Sequence, residues 1–194
     1  MTSPASTRSI RGTIVKRIQA PLAITFIAAL SLTGCGAHQE PEVRSTQSVE
    51  LSWADGASSK GELVRKADAI VVGTVQSTEV AEMTDFGPLT DATISVDTWA
   101  KSKDTRPDEI TIRQTGGVVD GVFYEVEDDP LLQVGEKGVF FVRYDGNTGV
   151  YVVLGGPTGR FKVNGDEAVP LPNSSIAGSK KEKLADLVRQ AQAG

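Results

Sequence analysis

One histidine, His38, and one cysteine, Cys35, are all that this 194-residue chain holds of either type. Zinc therefore lacks its usual nitrogen and sulfur ligands. A Ser–His or Cys–His catalytic pair would have to be built on His38 alone, and a disulfide within the chain is impossible. The usual catalytic signatures are missing too. There is no Gly-x-Ser-x-Gly and no serine followed three residues later by lysine, and the glycine-rich stretch Gly155-Gly156-Pro157-Thr158-Gly159-Arg160 lacks the Gly-Lys-Ser/Thr ending of a phosphate loop. No apolar run reaches the roughly 20 residues that span a bilayer, and no acidic residue occurs before Glu40.

What the N-terminus does have is order. Arg8, Arg11, Lys16 and Arg17 form a basic segment, the apolar residues 22–32 follow, and Leu32-Thr33-Gly34-Cys35 closes the run. A basic n-region, a short h-region and small residues at a cleavage point are the parts of a signal peptide. The last four residues resemble the lipobox of bacterial lipoproteins. That resemblance implies cleavage between Gly34 and Cys35, a diacylglyceryl group on the Cys35 thiol and attachment to the cell membrane on its extracytoplasmic side.

Loss of residues 1–34 removes four basic residues and no acid, so 20 basic against 25 acidic becomes 16 against 25, and the formal charge moves from −5 to −9. Such a chain is unsuited to nucleic acid, whose phosphates need clustered Lys and Arg. It would not hold to anionic lipid by charge, which leaves the lipid on Cys35 as the membrane contact. Residues 35–52 are polar and without period, and read as a flexible tether in which His38 is solvated.

Residues 53–194 read as one domain. Ser59 with Glu62 three positions on makes a capping box and predicts a short helix from about Lys60 to Ala67, burying Leu63, Val64 and Ala67. Ala69-Ile70-Val71-Val72-Gly73-Thr74-Val75 suits a strand buried on both faces. Residues 79–88 read as a polar turn, and a half-exposed strand starts at Asp91, with Ala92, Ile94 and Val96 on one face. Ile110-Thr111-Ile112-Arg113 is a further short strand, and residues 118–126 are a largely apolar stretch interrupted by Asp120-Gly121. Residues 138–144 and 150–154 predict a hairpin about Asp145-Gly146-Asn147-Thr148-Gly149, and a smaller hairpin turns at Asn164-Gly165-Asp166. A C-terminal helix is capped by Ser179 with Glu182, and buries Leu184, Leu187, Val188 and Ala191. Short strands with frequent turns and a helix at either end predict a mainly β fold: a small closed or partly closed antiparallel β-barrel, OB-like.

The succession of a helix, Ala67-Asp68-Ala69-Ile70-Val71-Val72-Gly73-Thr74-Val75, an alternating strand, Ile110-Thr111-Ile112, and Val134-Gly135-Glu136-Lys137-Gly138-Val139-Phe140-Phe141 resembles the core of netrin-like domains. The group includes the tissue inhibitors of metalloproteinases. The resemblance covers about residues 63–154 and implies an OB-type barrel. The disulfides of the animal members are absent here. Their zinc-chelating free N-terminal cysteine has no counterpart if Cys35 is acylated, so the fold is implied without the inhibitory chemistry.

No cofactor is indicated. Glu125, Glu127, Asp128 and Asp129 offer oxygen ligands without the spacing of a calcium loop, and read as a solvated acidic loop. Asp145-Gly146-Asn147 reads as a turn rather than a ligand triplet. Gly155, Gly156, Pro157, Thr158, Gly159 and Arg160 have two readings: a recognition loop offering a bidentate cation to a partner, or a turn whose arginine pairs with a nearby carboxylate. The functional expectation is a membrane-anchored, non-catalytic binding or structural module for a protein, a wall polymer or a small molecule. The alternatives are an accessory subunit or inhibitor of an envelope enzyme or transporter, and a carboxylate-dependent hydrolase.

Overall fold

The computed structural model describes residues 42–53, 55–176 and 180–194. Elements in the first half are β1 (Ser45–Ser48), α1 (Lys60–Lys66), β2 (Ala69–Thr84), β3 (Gly87–Ser102), β4 (Glu109–Thr115), β5 (Gly117–Val119) and β6 (Val122–Glu125). Then come β7 (Lys137–Asp145), β8 (Val150–Val153), β9 (Arg160–Asn164), β10 (Glu167–Pro170), β11 (Glu182–Lys183) and α2 (Leu184–Ala193). Among the described residues the fold is mainly β with two α-helices. Eight strands form one mixed sheet in the order β11-β10-β9-β7-β2-β3-β4-β8, and β1-β6-β5 form a second.

β7 also pairs with β8, so the pairings β7–β2–β3–β4–β8 lead back to β7 and five strands make a partial ring. The seam is short: β4 and β8 share only Ile112↔Tyr151 and Arg113↔Val152, and they run parallel. The antiparallel sheet expected from the hairpins is corrected here. Turn residues mark antiparallel neighbours, but a parallel contact between strands distant in sequence leaves no local signal.

Apolar runs in β2 and β7 are buried on both faces, because successive side chains point to opposite sides of a strand. Ala69, Val71, Phe140 and Val142 join Ala92, Ile94, Ile110 and Ile112 in one cluster, while Ile70, Val72, Val139 and Phe141 join α1, α2 and Phe161 in another. Each large side chain so buried contributes about 1.5–3 kcal/mol. Gly73 sits where β2 meets both β3 and β7. A Cβ there would lie 2.5 Å from the Ser95 carbonyl oxygen and 2.6 Å from Ile94 Cγ2. Gly73→Ala should therefore cost about 1–3 kcal/mol through overpacking, read as a lowered melting temperature, and an unchanged one would contradict this packing.

α1 starts as expected, with Ser59 Oγ accepting from the Glu62 N–H at 3.2 Å. The return half of the box is shifted by one residue: the Glu62 carboxylate accepts from Ser58 N and Oγ, each at 2.8 Å. Lys66, followed by those Ser58 contacts, holds the Glu62 carboxyl down to about 2.

Three expectations are corrected. Residues 79–88 are not an irregular turn; β2 and β3 continue as a two-stranded ribbon to a tight bend at Asp85-Phe86, paired through Thr84↔Gly87. Its residues 79–83 are all exposed, apolar Val80, Ala81 and Met83 among polar neighbours, so no buried face announced it. Residues 45–48, within the expected tether, form β1 in parallel with β6. All four are exposed, so the strand is held by backbone hydrogen bonds and has no side-chain pattern to read. Last, α2 begins at Leu184 after Lys183, with no side-chain cap. Glu182 pairs with Ala168 in the sheet and accepts from Lys60 Nζ at 2.6 Å, and Ser179 lies outside the described residues.

Candidate functional site

Gly34, Cys35 and His38 lie outside the described residues. Residues 155–160 are all buried. Gly156 is left-handed at φ 53° with its Cα against the Trp53 ring, where a Cβ would come within 2.5 Å. Thr158 Oγ1 meets Ser175 Oγ at 2.9 Å, and that hydroxyl donates in turn to the Ala57 carbonyl at 3.3 Å. The segment is packed among three others and presents little surface to a partner.

Arg160 is 2% exposed and faces inward. Its Nη1 donates to Asp129 Oδ1 at 2.7 Å and to the Pro130 carbonyl at 2.5 Å, and Nη2 donates to Glu136 Oε1 at 3.3 Å. Gln114 donates to the other Asp129 oxygen at 3.3 Å and accepts from the Leu132 N–H at 2.9 Å. Burial pushes the Asp129 carboxyl up, against the pull of Arg160 and Gln114. Of the two readings of this loop, the arrangement matches the turn whose arginine pairs with carboxylates. Its chemistry is a clamp that holds the connection between β6 and β7 against β9 and β4.

Of the acidic loop, Glu127 and Asp128 are exposed while Asp129 belongs to the clamp, so the solvated loop is narrower than expected. Among the described residues no group of three or more His, Cys, Asp or Glu side chains is arranged to hold a metal ion. The Asp145 carboxylate accepts from Asn147 N at 3.0 Å and Thr148 Oγ1 at 2.7 Å, which makes the triplet a turn. No described helix is long and apolar enough to cross a membrane.

The cleft that other parts of the chain build lies elsewhere, at the seam of the ring. A cleft of about 640 Å³ is lined by Thr93 of β3, Glu109, Ile110 and Thr111 of β4, Asp104, Thr105 and Pro107 of the connecting loop, and Tyr144, Gly149 and Tyr151. That is within the usual range for small-molecule sites, about 300–1,000 Å³. β4 and β8 first pair at Ile112, so the β4 residues before it have no partner strand on that side, and the cleft opens there.

Its walls are fixed by hydrogen bonds. Ser102 Oγ donates within the loop to Asp104 and Thr105 carbonyls at 3.1 Å, and Trp99 Nε1 donates to the Pro107 carbonyl at 3.2 Å. Opposite, the Asp145 turn is closed by Gly149 N–H to the Asp145 carbonyl at 2.8 Å. Tyr144 and Tyr151 are cross-strand partners with ring centroids 5.2 Å apart at 56°. Burial pushes the Tyr151 phenol up. Asp68 is pushed up by burial but held below the usual carboxylate range by Lys103 and by the Tyr144 N–H, which donates to it at 3.1 Å.

No family model matches this chain, and no curated protein matches it either. The cleft residues were not singled out in the sequence, although one signal was there. A hairpin that pairs Asp145 with Val150 must set Tyr144 opposite Tyr151 on one face. Nothing local ties Asp104 or Thr93 to that pair, since they come from other strands and loops.

Proposed function

We propose that the protein is a non-catalytic binding module, held by acyl chains on Cys35 at the extracytoplasmic face of the cell membrane, whose ligand site is the Tyr144–Tyr151 cleft. The five-stranded ring is, in this reading, an OB-type barrel. Its strands pair in the order first, second, third, fifth, fourth, with a parallel contact between third and fifth. OB barrels take ligands across their second and third strands and the loop between the fourth and fifth. Here those parts are β3, β4 and residues 145–149, and the observation that carries the reading is that the cleft is lined by all three.

A second reading, an accessory subunit or inhibitor of an envelope protein, is favoured by the outer β2–β3 ribbon. Val80, Met83 and Phe86 are exposed there, Phe86 by 80%. Exposed apolar groups along one ribbon are contact residues in many interfaces.

A photo-reactive residue in place of Tyr144, irradiated in intact envelopes of producing cells, should give discrete adducts. The same residue at Lys181, far from the cleft in sequence and exposed, should not. Equal labelling at both positions, or none at Tyr144, would remove the binding-module reading. Protein adducts from position 86 with none from position 144 would favour the accessory reading instead.

A further inference from the structure

We propose that the ligand of the Tyr144–Tyr151 cleft is an uncharged glycan. This rests on the binding-module reading above and adds its chemistry. No Lys, Arg or His lines the cleft, while Asp104 and Glu109 do. Three basic residues close to it in sequence are engaged elsewhere, Lys103 with Asp68, Arg143 with Asp55, and Arg113 with Asp91 through two hydrogen bonds of 2.6 and 2.8 Å, while Arg106, between Thr105 and Pro107, is exposed and does not line the cleft. A phosphate- or sulfate-bearing polymer would meet two carboxylates and no cation among the lining residues, on a protein that is already anionic. Anions are therefore disfavoured.

What the cleft offers instead is hydroxyl chemistry. Thr93, Thr105, Thr111, Tyr144 and Tyr151 each supply an O–H that can donate or accept, and Asp104 and Glu109 add acceptors. Thr93 and Thr111 are direct cross-strand partners, so their hydroxyls share one face. A pyranose ring has the complementary set, with hydroxyls around its rim, each both donor and acceptor. Its C–H faces carry slight positive charge and pack on the negative face of an aromatic ring. Tyr144 is 46% exposed and free to be covered, whereas Tyr151 is half-buried behind it. Both walls are hydrogen-bonded into shape before any ligand arrives, which suits a rigid sugar because less ordering is needed on binding. A peptide fits less well: Ile110 and Pro107 are the only aliphatic lining residues, so there is no apolar pocket for its side chains.

The test uses the full-length lipoprotein in detergent micelles and three kinds of probe: neutral tetrasaccharides of gluco, N-acetylgluco and manno configuration, an oligolysine peptide, and poly(glycerol phosphate). At least one tetrasaccharide should bind, with an affinity unchanged when salt is raised about tenfold, as expected without ion pairing. Tyr144→Ala should weaken that binding at least tenfold, Tyr144→Phe far less, and Thr111→Val by an intermediate factor, all with the wild-type melting temperature. Should Tyr144→Ala fail to fold, the Thr111→Val and Tyr144→Phe pair carries the comparison. Binding of oligolysine alone, steeply salt-dependent, would overturn the glycan and keep the binding module. So would adducts from position 144 without binding of any tetrasaccharide. Glycan binding that none of the three variants alters would also overturn the proposal, by moving the site elsewhere.

Discussion

Arg160→Ala should lower the stability of the folded domain by about 3–5 kcal/mol, the range found when one partner of a buried ion pair is removed. The loss is large because the guanidinium serves several acceptors at once. Asp129 would stay buried with only the Gln114 amide as donor, and partly buried Glu136 and the Pro130 carbonyl would lose theirs from the guanidinium. Desolvation without compensation is the expensive state, and it exceeds the value of the pair itself. Urea unfolding followed by circular dichroism would read the effect. A second variant separates pairing from packing: Arg160→Met with Asp129→Leu, which removes both charges, should recover part of the loss. A single variant within about 1 kcal/mol of wild type would mean that water reaches the clamp and satisfies the carboxylates.

Cys35→Ala should change where the protein is found. If the thiol carries a diacylglyceryl group, the wild type partitions with membranes, since each buried methylene contributes about 0.8 kcal/mol and two chains anchor stably. The variant has no nucleophile for the lipid and should accumulate as uncleaved precursor or leave the membrane on cleavage. Fractionation together with mass spectrometry of the N-terminal peptide reads both outcomes. An unmodified Cys35 in the wild type, or a mature N-terminus at another residue, would end the lipoprotein proposal and with it the assignment of the compartment.

Local sequence decided those features whose causes are local. The β-branched run at residues 69–75 is buried on both faces, the turn at residues 145–149 is made by Asp145 and Gly149, and α1 begins at Ser59 because its hydroxyl accepts from Glu62 N–H. Each follows from side-chain period or from a hydrogen bond within a few residues. The tertiary structure decided what depends on distant partners. β1 is a strand only because the edge of β6 accepts its backbone, and the parallel contact of β4 with β8 joins residues about forty positions apart. Arg160 became a buried clamp because a connection some thirty residues earlier carries Asp129 and Glu136 beneath it. The same holds for the cleft. The hairpin register puts Tyr144 opposite Tyr151, but the wall facing them is made where the ring's seam parts, and sequence period carries no information about where two remote strands stop pairing.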